Sequence, residues 1–537
     1  MLDYIPFNFP YHFLLFLSLA LFSLLSLTIV FVFFVTNIKA NREHGIVPKS
    51  LPWVGRQQGQ LFSAIRSNFR GLVNSVTLFR EGYTKHSKKD QIYVVPTWTK
   101  GPQVIIPPKM NNWLASRPDA MLNAKDSQFA YTVGHPEITS NDMIDILIKR
   151  ELTRTIGTLN TEIFEEVEAS MEGLFGDGEW KQVGVFDSLT RTVGRAANRV
   201  FVGKELCSNM DFVMAGVSFA RDILGQQLYP PPFPQVYETV TVSLFATMPN
   251  RHHSGIAMKY LQPLIQQRLD DMNRKQTDST FAFEEPNDFI TWMIRESLKR
   301  NTDDERSVHA LAYRVVLLNF AAITTSTIMA TNALLDIYSA PNSESLVTAL
   351  REEASDVFRE HNGQWTKAAL AKLYRLDSAI RESARVSGVG GTSMARRVRA
   401  DDGITLPDGT WIPHGATVGV SMDGIHFDEA FYENPSEFDA FRFSRRREEH
   451  ILSGDEKTRA NEDLVTTSAH WLPFSHGIHA CPGRFFAANN IKMILAHLLL
   501  NYDVQPFDSR PPNISIGDIS VVPVKATMMV RRREIKA

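Results

Sequence analysis

Cysteine is almost absent from this chain of 537 residues. Only Cys207 and Cys481 are present, and at most one disulfide excludes a disulfide-stapled secreted scaffold and points to a reducing compartment. Charge imbalance is lacking too: 57 basic and 59 acidic residues leave a net −2, which offers no electrostatic support for a nucleic-acid partner. There is no low-complexity bias, no internal repeat and no Gly-rich dinucleotide fingerprint. Charge is missing altogether from two stretches. Between Tyr4 and Ile38 there is no Asp, Glu, Lys or Arg, a length that spans a hydrocarbon core needing about 20 apolar residues. A cleaved signal peptide fits less well, since the run is long, has no basic n-region and shows no small-residue cleavage site. Lys39 and Arg42 follow the span while only Asp3 precedes it, so the positive-inside rule puts the rest of the chain on the cytosolic side. The second charge-free stretch, Val315 to Leu335, carries seven polar residues: Asn319, Thr324, Thr325, Ser326, Thr327, Thr331 and Asn332. That many hydroxyls and amides suit a long buried helix rather than a lipid-facing one.

What is present is ordinary globular material: 44% hydrophobic residues, with 30 Gly and 27 Pro. The length implies two or three domains unless one large helical domain carries the whole body. The expected division is a membrane anchor at 1–44, a proline-containing linker at 45–56 (Pro48, Pro52) and a body at 57–537. Residues 57–300 read mostly as amphipathic helices, among them "NTEIFEEVEASMEGLF" and "YLQPLIQQRLDDMNRK". The prolines of "LYPPPFPQVY" force an extended connection between two of them. A further helix ends with Glu382 and Arg385 three apart, and "ITLPDGTWIPHGATVGV" has β-branched runs on either side of a Pro-Asp-Gly turn, a hairpin signal. "YENPSEFDAFRFSRRREE" reads as irregular, and the C-terminus as a last helix followed by a strand pair around "ISVVPVKATMMVRR". The fold class is mainly α with a small β region near the C-terminal half.

The chemistry concentrates on Cys481, in "FSHGIHACPGRFFAANNIKMILAHLLL". Four readings compete. A buried structural thiol is the plainest. A zinc site would use His476 and His479 but finds no further ligand at the right spacing. A nucleophilic thiolate and a thiolate ligand to haem iron would each draw on the following helix N-terminus, where N–H groups and the dipole stabilise sulfur's charge.

Phe474, Gly477, Cys481 and Gly483 resemble the F-x-x-G-x-x-x-C-x-G haem-binding loop of the cytochrome P450 superfamily. Glu382 and Arg385 resemble its E-x-x-R pair, Arg442 with Phe443 its third, triad-completing arginine, and "AAITTS" the oxygen-activating turn of its long central helix. The anchor and proline linker are similar to those of microsomal members, and "FAAITTS", "HACPGRFFA" and "NRVFVG" resemble a fungal branch that oxidises terpenoids and related secondary metabolites. The resemblance covers nearly the whole chain. It implies the cytochrome P450 fold behind one transmembrane helix in the endoplasmic reticulum membrane, with the catalytic body cytosolic. It implies haem b with Cys481 as axial iron ligand, NADPH electrons through a separate flavoprotein reductase, and a large apolar substrate. The basic run Arg442, Arg445, Arg446 and Arg447 is the candidate docking face for the reductase, a solvated charge run being the plain alternative. Pocket walls are expected near Phe320 to Thr325, residues 387 to 393 and the "PPPFP" segment.

The departures from the family pattern are specific. Ser475 stands where a glycine is usual, His479 where many members have arginine, and Thr324 where an acid is common. Haem-propionate partners implied by the resemblance are His479, Arg150 and Arg397. Arg150 matches the arginine of W-x-x-x-R, although Ile146 replaces the tryptophan. Thr325 is expected to take part in proton delivery, Thr324 less so, and Ser326 and Thr327 to bond back to helix carbonyls. Two other function classes remain: a haem-thiolate isomerase or dehydratase that does not use oxygen, and a non-enzymatic membrane-tethered haem or lipid binder.

Overall fold

The computed structural model describes residues 46–56, 63–97, 101–128, 142–176, 178–226, 248–300, 303–453 and 462–534, with isolated helical positions at 23, 26, 27 and 31. The expected anchor, apart from those positions, and the "LYPPPFPQVY" segment lie outside the described residues.

Helices make up most of the body. In chain order they include α1 (Ser63–Lys85), α2 (Asn111–Ala115), α3 (Met143–Leu147), α4 (Thr153–Phe175), α5 (Val185–Phe201), α6 (Met210–Gln226), α7 (Met248–Thr277), α8 (Phe289–Arg300), α9 (Val308–Tyr338) and α10 (Ser343–Glu360), then α11 (Tyr374–Val386), α12 (Met422–His426), α13 (Arg442–Ser453) and α14 (Arg484–Asn501). The charge-free stretch is the middle of α9. Ser307 caps that helix by accepting from the Ala310 N–H at 3.0 Å, and most of the helix is buried by α5, α6, α7 and α11. α9 is the one described helix long and apolar enough to cross a membrane. Its burial in protein and its buried Asn319, Thr327, Thr331 and Asn332 make it the axle of the core. Apolar side chains of α4, α5, α9, α11 and α14 form the largest cluster around it.

The strands are β1 (Tyr93–Thr97), β2 (Gly101–Ile106), β3 (Leu122–Asn123), β4 (Lys181–Gly184), β5 (Thr392–Val398), β6 (Ile404–Thr405), β7 (Trp411–Ile412), β8 (Thr417–Ser421), β9 (Tyr502–Val504), β10 (Ile514–Ile516), β11 (Ile519–Val521) and β12 (Thr527–Arg532). β6 and β7 form the expected hairpin about the Pro-Asp-Gly turn. The main sheet, order β1-β2-β8-β5-β3, corrects the expectation that strands belong to the C-terminal half. Three of its five strands come from residues 93–123, where "IYVV" and "QVII" are β-branched runs too short to stand out from the helical pattern around them. The C-terminal strands also differ from expectation: β11 pairs with β10, while β12 pairs with β4 and β9. "RFSRRREE", read as irregular, is the start of α13. In the segment expected as a linker, Val47, Leu51 and Val54 are buried and Trp53 bridges to Val94 of β1.

Candidate active site

Cys481 sits three residues before α14, in a loop folded back on itself. Its N–H donates to the Phe474 carbonyl at 2.8 Å, and Phe474 is buried edge-on against Trp471. Gly477 has φ +79°, and a Cβ there would lie 2.4 Å from the Ala115 carbonyl oxygen of α2. Only glycine allows that approach. Ser475, at the position where the family usually has glycine, also takes a positive φ of 58°. The N–H groups of Gly483 and Arg484 point at the sulfur. Burial pushes the Cys481 thiol up, and those two N–H groups and the Arg484 charge pull it down. Arg484 also donates to the Cys481 carbonyl at 2.8 Å and to the Val465 carbonyl at 3.0 Å, fixing the loop's exit.

The sequence-expected triad assembles. Arg385 is fully buried and forks onto Glu382 with bonds of 2.7 and 2.8 Å. Its remaining donors reach the carbonyls of His426, Pro435 and Glu437. Arg442 closes the set with a 2.9 Å bond from Nε to Glu382. Charges this deep are retained only when fully bonded, which this set is.

His426 joins the triad to the cysteine loop, and sequence reasoning missed it. Its Nδ1 is 3.2 Å from the Arg385 carbonyl and its Nε2 is 3.2 Å from the Leu472 N–H. These partners require a neutral ring with the proton on Nδ1. Burial, together with the Arg385 and Arg381 charges, holds its pKa down to about 3. An unfolded histidine titrates near 6.5, so below that pH the unfolded chain takes up a proton the folded chain refuses. Stability from this group is therefore complete above about pH 6.5 and falls as pH drops toward 3, by about 2 kcal/mol at pH 5. His426→Gln, whose amide can keep both bonds, should lose that part of the slope. Urea midpoints of both proteins from pH 7.5 to 5 check this, and parallel slopes would contradict it.

The propionate candidates separate. His479 lies 3.4 Å from Asp119; burial, with the Arg396 charge added, lowers its pKa, while Asp119 and the Arg117 carbonyl oppose this. Arg150 is half exposed and held by Glu296 and Glu151, each at 2.8 Å; its neighbour Lys149 is the cation near His479. Arg397 is exposed, its guanidinium 4.0 Å from where a Gly415 Cβ would stand. Arg396 faces the other way. It is 2% exposed, its Nε and Nη2 lack any hydrogen-bond partner, and burial brings its pKa down to about 10. The alternation Met394, Arg396, Val398 on the buried face of β5 is the signal that could have found it. An unsatisfied buried guanidinium beside His479 and the cysteine loop is the donor set a bound carboxylate would complete. The residues present thus fit a haem: Cys481 would hold the iron, and Arg396 and His479 would bind the propionates.

On α9, Ala321 and Thr325 are exposed on one stripe, and the Thr325 hydroxyl donates to the Ala321 carbonyl at 2.7 Å. Thr324 is half-buried. Thr327 and Thr331, by contrast, have buried hydroxyls with no hydrogen-bond partner, so the back-bonding expected of Thr327 belongs to Thr325. The basic run on α13 is largely consumed. Arg442 serves the triad, and buried Arg447 pairs with Asp377 and Asp463 at 3.2 and 2.7 Å. Arg445 and Arg446 remain exposed, paired with Asp439 and Glu462.

The sequence model described as "Cytochrome P450" matches residues 181–530. Relatives align over nearly the whole chain. One is "Cytochrome P450 monooxygenase gloP" of Glarea lozoyensis, 30% identical over 95% of this chain and 96% of its own. The chain belongs to the cytochrome P450 family. "Cytochrome P450 monooxygenase 71" of Postia placenta is 33% identical over 88% of this chain and 91% of its own. Among solved structures, the "cytochrome P450DA heme domain" superposes with a TM-score of 0.64 at 14% identity, covering 90% of this chain and 97% of that one. The retinoic-acid-bound cyanobacterial CYP120A1 gives the same TM-score at 16% identity, over 90% and 100%. These two show the fold. The protein is a cytochrome P450 monooxygenase, an oxidoreductase whose family uses haem iron and a redox partner.

Proposed function

We propose that this monooxygenase is anchored by residues 1–44 in the endoplasmic reticulum membrane with its body in the cytosol. It inserts one atom of O2 into a large apolar substrate, a terpenoid or related secondary metabolite, and receives NADPH electrons through a separate flavoprotein reductase. The observation that carries the reading is the Cys481 loop, with sulfur facing two N–H groups and the orphaned Arg396 donors beside it. When bound, haem supplies dioxygen activation, and the thiolate favours O–O cleavage. The chain's own part is to hold the sulfur, bind the propionates, exclude water and handle protons. The relatives named cytochrome P450 monooxygenases support the reaction class, and the metabolite class rests on the resemblance of "FAAITTS", "HACPGRFFA" and "NRVFVG". The balance is O2, NADPH, a proton and R–H giving R–OH, water and NADP+.

Thr325 is the proton-handling residue in this reading. With its proton committed to Ala321, the hydroxyl can still accept from a water, so it positions that water rather than acting as the acid. Purified protein with reductase, NADPH and labelled dioxygen tests the function, using an extract of its own metabolite pathway as substrate source. Label in the product supports it; a rearranged product without label would replace it with the isomerase reading. In the same assay Thr325→Ala should lower product formed per NADPH by roughly tenfold, less than the loss of a direct proton donor. Thr325→Ser should restore it, and Thr324→Ala should change it little. Unchanged coupling in Thr325→Ala would move the proton route elsewhere. For the anchor, removal of residues 1–44 should release the protein from alkali-washed membranes with haem retained; protease protection of the body in sealed microsomes would contradict the orientation.

A further inference from the structure

One stripe of α9 carries Ala321, Thr325, Asn332 and Asp336, at i, i+4, i+11 and i+15, so the last two lie on the Thr325 face. Asn332 is about 10 Å along the axis from Thr325. Its Nδ2 donates to the Ser387 carbonyl at 2.7 Å. Asp336 is buried and accepts from Ser383 at 2.6 Å, from Ser387 at 3.0 Å and from Arg510. Arg510 also donates to Asn332 at 2.8 Å, to the Pro511 carbonyl at 2.8 Å and to Asn513 at 3.3 Å. One guanidinium thus ties together α9, the start of the loop 387–391 and the entry to the β10–β11 hairpin.

That loop runs from the α9 stripe toward the cysteine loop, because Ser393 just beyond it donates to the Leu472 carbonyl at 3.0 Å. Gly388, Gly390 and Gly391 give the loop a permissive backbone, Val389 is exposed, and a cavity of about 300 Å³ lies against it, lined in part by Ser387, Gly388, Gly390, Arg510, Asn513 and Ser515. Its other backbone ties are to the hairpin that Arg510 itself positions, Ser520 N–H to the Val389 carbonyl at 2.9 Å and Gly391 N–H to the Asp518 carbonyl at 3.3 Å, and to α12, Asp423 N–H to the Gly391 carbonyl at 3.4 Å. Gly391 lies against the Phe79 ring and Gly390 against the Asp518 carbonyl, so that end of the loop is packed, whereas Ser387 to Val389, beside the polar cavity, are placed by their hydrogen bonds to Asn332, Asp336 and Ser520.

We infer that Arg510, through Asn332 and Asp336, is a positioning residue for substrate selectivity: it sets how far the loop 387–391 and the β10–β11 hairpin reach into the pocket beside Thr325. This rests on the pocket assignment made above. Arg510→Lys keeps a cation for Asp336 but cannot hold Asn332 and Asn513 as well, and Arg510→Gln with Asp336→Asn removes both charges together. Two ferric-haem ligands are the probes: imidazole, too small to meet the loop, and 4-phenylimidazole, which fills the space above the haem. Both variants should bind imidazole as the unaltered protein does and shift the 4-phenylimidazole dissociation constant about tenfold. Hydrogen–deuterium exchange in 387–391 should quicken in both, a readout that needs no haem. An unchanged constant for 4-phenylimidazole, an equal shift for the two ligands, or unchanged exchange would overturn the inference. Lack of a thiolate-type Soret band in the reduced carbon monoxide complex of the unaltered protein would fail the haem-thiolate reading instead, and the exchange data would still decide this one.

Discussion

Cys481→Ser is expected to fold, bind haem weakly and lose the thiolate-type Soret band of the reduced carbon monoxide complex. Serine fits the space, and its N–H can still bond to Phe474, so the loop and α14 should persist. What disappears is a ligand whose charge the Gly483 and Arg484 N–H groups and the Arg484 guanidinium are arranged to stabilise. A serine hydroxyl at neutral pH donates far less electron density to iron than a thiolate. Cys207, the other thiol, is buried, bonded to the Lys204 carbonyl at 3.2 Å and pushed up to about 12 by burial, so it cannot substitute. Turnover should fall by at least about 1,000-fold, equivalent to about 4 kcal/mol on the barrier. Circular dichroism and the carbon monoxide spectrum check the two halves. A full-intensity thiolate band in the variant would remove Cys481 from the iron.

Arg385→Ala should yield little folded haemoprotein, for a different reason. Truncation leaves Glu382 buried with only Arg442 to balance it and strips donors from the carbonyls of His426, Pro435 and Glu437. Breaking a buried pair in this way costs about 3–5 kcal/mol, a large part of the 5–15 kcal/mol that holds a typical domain together. Arg385→Lys should not rescue it, because an ammonium cannot serve a forked carboxylate and three carbonyls at once. Arg442→Ala removes one bond to Glu382 and two to the Glu433 and Asn434 carbonyls, at a partly exposed position where water can replace them, and should cost less, about 1.5–3 kcal/mol. Urea midpoints and haem content of the three variants form the test. Normal values for Arg385→Ala alongside an altered product would make the triad part of the active site and not its frame.

The contrast between those two residues reflects what was legible in the sequence. Cys481 and its glycines lie within ten residues of one another, and Glu382 and Arg385 are one helical turn apart, so covalent spacing alone brings them into register. The charge-free run of α9 announced a buried helix by composition. Sequence reading was weaker for β1, β2 and β3, since a short β-branched run becomes a strand only when a partner elsewhere in the chain accepts its hydrogen bonds; β2 finds β8 more than 300 residues on.

Side-chain fate was decided later still. Arg396 and Arg397 are adjacent in sequence and chemically identical, yet the pleat of β5 buries one beside His479 and turns the other to solvent. The four arginines of the basic run read as one positive surface, but helical rotation on α13 sends Arg442 and Arg447 inward to carboxylates on α11 and leaves only Arg445 and Arg446 outside. His426 carried no motif, and its role exists only because α12 folds between Arg385 and Leu472. The sequence by itself determined the fold family, the cysteine loop and the Glu382–Arg385 pair, because each rests on local spacing. Which cations stand beside the cysteine loop, which are spent on internal carboxylates and what holds the loop at 387–391 was decided by the tertiary structure, because a charge takes its role from partners that only the folded chain supplies.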